Sequence, residues 1–228
     1  MIKARAFIFD IDQTLLNTLK RFYVVFNGNL EKIGLEPLEY RDFIKKYSQD
    51  ILNEVVAPPR SKGREAKLHR FWLSFLKEFR SFRTREDHLI PGVKKVLEKI
   101  YQAKIPIAVN TNCIAPISQV KEELDEFGIG KYISVIATGY EAKDELADGH
   151  HFSKKTIIKK AIAKLKIPAK DCVVVGDYFN DIKAGKALGT KTIAVLTGLT
   201  GREYALKLKP DAIIDSLAHL FDVIEIKE

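Results

Sequence analysis

Two short acidic runs carry the clearest chemistry in this chain. The first is Asp10-Ile11-Asp12-Gln13-Thr14, directly after the apolar residues 6–9. In an extended segment side chains at i and i+2 point the same way, so Asp10 and Asp12 project together from a strand end. Two carboxylates about 5 Å apart repel by roughly 3 kcal/mol at an effective dielectric of about 20, so the pair calls for a cation or a shared proton. Taken alone, a DxD is also met by chance as a solvated acidic turn. The second run, Gly176-Asp177-Tyr178-Phe179-Asn180-Asp181, again follows an apolar stretch. Gly176 lets the backbone turn closely, and Asn180 or Asp181 can cap a following helix, yet capping leaves Asp177 without a purpose. Hard oxygen ligands from two strand ends, with no His or Cys among them, suit Mg²⁺.

The elements that must position these acids follow from periodicity. Residues 6–9, 105–109, 132–137, 172–175, 191–196 and 212–214 are nearly continuous apolar runs. Such runs fit strands buried on both faces of a parallel sheet. Between them, residues 93–103, 117–127, 156–165, 181–188 and 217–224 have helical spacing. Strand alternating with helix predicts an α/β fold, a Rossmann-like open parallel sheet flanked by helices. The stretch 16–88 departs from this: it offers three successive helical faces and no convincing strand. It reads as an α-helical insert. The expected division is therefore an α/β core of residues 1–15 plus 89–228 and a helical cap of residues 16–88.

The motifs, taken together, resemble the haloacid dehalogenase superfamily of phosphohydrolases over nearly the whole chain. Asp10 to Thr14 looks like the family's DxDxT motif, and Gly176 to Asp181 looks like its GDxxxD motif. Thr111-Asn112, after the apolar 105–109, is similar to its hydrophobic strand ending in Thr or Ser. The run Ile90-Pro91-Gly92-Val93 resembles members whose helical cap follows the first motif. Two features depart from the pattern. The family's lysine commonly precedes a Pro, and here the region reads Ser153-Lys154-Lys155, so Lys154 is the first choice, Lys155 the second and Lys143 a distant third. Gln13 stands where many members have Gly, which implies altered loop packing with both carboxylates kept.

The resemblance implies a Mg²⁺-dependent phosphatase acting on a small phosphorylated metabolite, of the phosphoglycolate phosphatase kind. Asp10 would be the nucleophile that forms an aspartyl phosphate. Asp12 would be the general acid and base, its pKa raised by the charge of Asp10. Mg²⁺ would be held by Asp10, the backbone carbonyl of Asp12 and Asp177, with Asp181 helping. Thr111, the amide of Asn112 and Lys154 would bind the phosphoryl oxygens. A phosphomutase of the same family is the nearest alternative.

Composition bounds the rest. The formal net charge is +8, which also allows a non-catalytic polyanion binder, but that reading leaves four acids at two strand ends unexplained. Between residues 57 and 88 nine Lys or Arg stand against four acids, so a basic lid that draws anions to the site is an expectation. The Trp72 and Phe stripe of the third helix is expected to be cap core rather than a ligand cage. Cys113 and Cys172 form no CxxC or Cys/His spacing, which argues against a disulfide framework or a zinc site. His150-His151 reads as a polar loop tip, and Thr197-Gly198-Leu199-Thr200-Gly201 as a chain reversal. No run reaches the roughly 18 apolar residues of a membrane span. A cytoplasmic monomer or homodimer that binds neither nucleic acid nor membrane is expected.

Overall fold

The computed structural model describes residues 1–142, 153–199 and 201–226. Its frame is a six-stranded sheet of β2 (Ala6–Asp10), β5 (Ile107–Thr111), β6 (Val135–Thr138), β7 (Cys172–Gly176), β8 (Lys191–Val195) and β9 (Ala212–Ile214). All neighbours run parallel in the order β6-β5-β2-β7-β8-β9. Every residue of β2, β5 and β7 is buried, which is why these strands read as unbroken apolar runs. Alternation divides β2 between two cores. Phe7 and Phe9 pack with Val93, Leu97, Val120 and Leu124, while Ala6 and Ile8 pack with Ile157, Ile158 and Ala161. The helices bearing those residues are α5 (Val93–Gln102), α6 (Ile117–Glu126) and α7 (Lys155–Leu165), with α8 (Phe179–Ala187) on the α7 side.

The strand order puts β2 between β5 and β7, so their carboxyl ends open onto one crevice, where ligands of open α/β sheets bind. Asp10 pairs in register with Asn110 and Phe9 with Val175. Strand β5 begins two residues later than its apolar run suggests. Pro106 offers only a carbonyl, which accepts from Phe7 N–H at 3.2 Å.

The insert folds as α1 (Leu19–Lys32), α2 (Tyr40–Ser48), α3 (Leu52–Val56) and α4 (Arg64–Glu78) around Phe26, Phe43, Leu68, Phe71 and Phe75. Among the described residues, four short strands escaped the periodicity reading, two of them at the ends of the insert. Leu16–Asn17 (β3) pairs antiparallel with His88–Leu89 (β4), bringing the two chain crossings of the insert side by side. A two-residue strand carries no period to detect. Residues 217–224 are likewise not one helix: a tight turn at Leu217–His219 leads into α10 (Leu220–Val223), and Ile224 starts β10 (Ile224–Ile226). β10 extends because β1 (Ile2–Ala4) offers it a parallel partner, a contact with no local signature. Among the described residues no helix is long and apolar enough to cross a membrane.

Candidate active site

At the mouth of the crevice, Asp10, Asp177 and Asp181 each offer a carboxylate oxygen within 4.8 Å of the others. Each arrives by a separate route. Asp10 ends β2, Asp177 follows β7, and Asp181 lies in the first turn of α8. Neither Asn180 nor Asp181 caps that helix, because the residue before it is Tyr178; Asp181 instead points inward, fully buried. Glycine makes the room. A Cβ on Gly176 would lie 2.4 Å from Asp181 Cγ, and one on Gly198 would lie 2.1 Å from Asp177 Oδ2. The loop after β8, expected to be a simple chain reversal, therefore packs on the site. Thr197 Oγ1 also donates to the Gln13 carbonyl at 2.5 Å.

Lys154, just ahead of α7, enters this cluster. Its ammonium donates to Asp10 Oδ1 at 2.5 Å and to Asp181 Oδ1 and Oδ2 at 2.8 and 3.0 Å. Lys155 is exposed, while Lys143 and the His150-His151 pair lie outside the described residues. Burial alone would lower the Lys154 pKa, but Asp10 and Asp181 outweigh it and hold the group charged well above its ordinary range. Burial, and then the charge of Asp181, push Asp10 up to about 6 against the pull of Lys154. Asp177 and Asp181 are raised too, burial being the largest cause for each. Three crowded oxygens of raised pKa form a hard donor set into which a divalent cation fits.

The Asp12 carboxylate stands apart from that cluster. It accepts from Thr18 Oγ1 at 2.9 Å and pairs with the Arg80 guanidinium. Of the expected ligands, Asp10, Asp177 and Asp181 meet through their carboxylates, and Asp12, expected to offer only its backbone carbonyl, keeps its carboxylate outside that group. Its pKa is raised as expected, but chiefly by burial; Asp10 adds less, and Arg80 opposes both. Thr14 Oγ1 reaches Asp177 Oδ1 at 3.4 Å, so the last residue of the first motif touches the second. Gln13 sits in the left-handed region at φ 59°. With its amide oxygen turned toward α1, it accepts from the N–H of Thr18 (3.1 Å) and Leu19 (2.9 Å). The altered loop packing expected at Gln13 is this cap.

Thr111 ends β5, and its Oγ1 accepts from Cys113 N–H at 3.2 Å and from Arg80 Nη2 at 3.3 Å. Arg80 was not anticipated. It is almost wholly buried, and its Nη1 meets Glu123 Oε2 at 2.7 Å, while Glu123 Oε1 lies 2.6 Å from Arg21 Nη1. Arg21 also donates to Asp87 Oδ2 from Nη2 at 2.7 Å. This buried chain of charges joins the insert to α6 and to Asp12. A signal existed in Glu123, an acid set among Val120, Leu124 and Phe127 on the apolar stripe of α6.

Above the carboxylates lies a chamber of about 350 Å³, with Thr111, Asn112 and Lys154 on its wall. Its insert side corrects two expectations. Trp72 and Phe75 line the chamber as well as packing the insert, so the aromatic stripe is both core and wall. The bases of residues 57–88 form no lid: none is among the described lining residues, Arg80 is consumed in ion pairs, and Arg60, Lys67, Arg70, Lys77 and Arg85 are exposed. Cys113 and Cys172 are buried and carry no disulfide.

Comparison with known proteins places the chain among its relatives. The phosphoglycolate phosphatase of Agrobacterium fabrum is 27% identical over 216 residues, covering 93% of this chain and 89% of that protein. The phosphoglycolate phosphatase of Vibrio parahaemolyticus is 26% identical, with 96% and 95% covered. Among solved structures, a predicted phosphoglycolate phosphatase from Haemophilus somnus aligns with a TM-score of 0.70 at 22% identity, covering 98% of this chain and 99% of that one. A haloacid dehalogenase-like family protein from Streptococcus pneumoniae aligns with a TM-score of 0.69 at 16% identity, with 97% of each chain covered. Residues 7–195 match the haloacid dehalogenase-like hydrolase family, and the chain belongs to it.

Proposed function

We propose that the protein hydrolyses a small phosphomonoester through Asp10, assisted by Mg²⁺. The observation that carries this reading is the meeting of Asp10, Asp177, Asp181 and Lys154 at the carboxyl end of the sheet, beneath a chamber of about 350 Å³ whose wall Asp12 also joins. Asp10 attacks phosphorus in line, forming a bond from its carboxylate oxygen as the bond to the ester oxygen breaks. Asp12 gives its proton to the departing alkoxide. It then takes a proton from the water that attacks the aspartyl phosphate, releasing phosphate and restoring Asp10. The raised pKa of Asp12 suits the first step, since the group must start protonated.

Asp10, Asp177 and Asp181 would hold Mg²⁺, joined by the Asp12 carbonyl. The cation supplies charge neutralisation for the phosphoryl oxygens. Thr111, the Asn112 amide and Lys154 bind those oxygens, where positioning and charge provide most of the rate. Residues 16–88 act as a cap over a core of 1–15 and 89–228, a division supported by the paired β3 and β4 at its two crossings. Names of the relatives favour phosphoglycolate as one ester to test. The test measures released phosphate with Mg²⁺ and with chelator, wild type beside Asp10→Asn. Turnover is expected only for wild type with metal, and equal activity in Asp10→Asn removes Asp10 as nucleophile.

A further inference from the structure

The part of the chamber that would receive the departing alcohol has a chemistry of its own. The charged side chains among its described lining residues are Asp10, Asp12, Asp50, Asp177 and Lys154. All but Asp50 belong to the phosphoryl floor, and Lys154 is already engaged by Asp10 and Asp181. Above the floor the wall is aromatic, with Phe22, Tyr47, Trp72 and Phe75 from the insert facing Tyr178 and Phe179 from the core. The Phe22 ring centroid lies 4.9 Å from Tyr47 and 4.7 Å from Phe75, so these rings are braced against one another. The indole is also fixed, because Trp72 Nε1 donates to Asn53 Oδ1 at 2.6 Å. Asp50 accepts from the Tyr178 hydroxyl, tying the loop between α2 and α3 to the core and holding a carboxylate at the chamber wall.

Resting on the phosphomonoesterase reading above, we infer that the preferred substrate is the phosphate ester of an uncharged, ring-bearing alcohol, selected by Trp72 and Asp50. A volume of about 350 Å³ admits such a group. Aromatic walls favour a flat apolar partner by stacking and desolvation. A carboxylate on the leaving group would shed its water among rings, find no cation from the described insert residues, and face Asp50. This runs against phosphoglycolate, the substrate in the relatives' names, whose leaving group carries a carboxylate.

Two measurements on the full chain with Mg²⁺ test it. In the first, kcat/KM is compared for benzyl phosphate, its para-carboxylate derivative and phosphoglycolate. Benzyl phosphate is expected to exceed both by at least about tenfold, the scale set by one like-charge contact and one ring contact. Asp50→Asn should raise the ratio of carboxylated to plain benzyl ester, and Trp72→Ala should shrink the ratio of benzyl phosphate to phosphoglycolate. In the second, wild-type protein is titrated with benzylphosphonate and with phosphonoacetate, followed by the fluorescence of Trp72, the single tryptophan of the chain. Benzylphosphonate should bind at least about tenfold more tightly and change the emission.

Turnover that favours phosphoglycolate overturns the selectivity and leaves the hydrolase reading standing. Silence on every ester, with the phosphonates still discriminated, removes the hydrolase reading and keeps the selectivity. Equal or tighter binding of phosphonoacetate overturns the inference whatever the turnover.

Discussion

Replacing Arg80 by methionine removes the guanidinium that links Asp12, Glu123 and Thr111. The side chain is buried, so its loss leaves Glu123 with Arg21 at 2.6 Å and Arg83 at 3.7 Å, and Asp12 with Thr18. Breaking a buried pair by deleting one member costs about 3–5 kcal/mol, which for a chain of this size lowers Tm by roughly 6–20 °C. Activity should fall as well, because Asp12 loses the group that orients it. A second variant separates the two effects. Arg80→Met combined with Glu123→Leu takes out both charges and fills the space with apolar atoms, so at least about half of the lost stability should return. The kcat of the double variant should stay as low as that of Arg80→Met, since Asp12 still lacks its partner. The assay is thermal unfolding by circular dichroism beside phosphate release under saturating ester. Recovery of kcat together with Tm would refute the positioning of Asp12 by Arg80, and a double variant no more stable than the single one would refute the charge-compensation account.

Further outcomes follow from the same geometry. Mg²⁺ at about a hundred times its Kd should stabilise the wild type by roughly 2.7 kcal/mol, a calorimetric Tm rise of about 5–11 °C, and Asp177→Asn should abolish that rise. Because burial and neighbouring acids raise the Asp177 carboxyl, the metal-free Asp177→Asn protein should be at least as stable as wild type. Gly198→Ala places a methyl 2.1 Å from Asp177 Oδ2, so Asp177 must rotate; the half-saturating Mg²⁺ concentration in the phosphate assay should rise, with at most about 1–3 kcal/mol of stability lost. Burial alone would raise Glu123, but Arg80 and then Arg21 hold it below its ordinary 4.5. A depressed folded pKa means the unfolded chain binds more protons, so the stability from this group is complete above about pH 4.5 and is lost as pH falls through the folded value. Glu123→Gln should therefore show lower stability at neutral pH and a shallower acid limb in urea titrations from pH 7 to 3.

How far the site was legible depended on the range of the information. Asp10, Asp177 and Asp181 could be read because each closes or follows an apolar run, and the strand order that joins them obeys general rules for parallel sheets. Lys154 could be narrowed only by resemblance, since a lysine in a Lys-rich loop has no local mark of burial. Arg80 looked like one more base in a basic stretch. Its partners Glu123 and Asp12 stand 43 and 68 residues away, a separation no periodicity spans.

The residue order alone therefore determined the alternation of buried strands and amphipathic helices, the helical insert and the acids at the strand tips, because each is a local pattern of polarity. Tertiary structure decided what each pattern meets. It turned the Asp12 carboxylate to Arg80 rather than to the other acids, made one aromatic stripe both packing and chamber wall, and sent most of the insert's bases to solvent. The physical reason is that periodicity identifies a face to be buried and says nothing of its partner. Charge compensation and cavity shape arise only when distant segments share one volume.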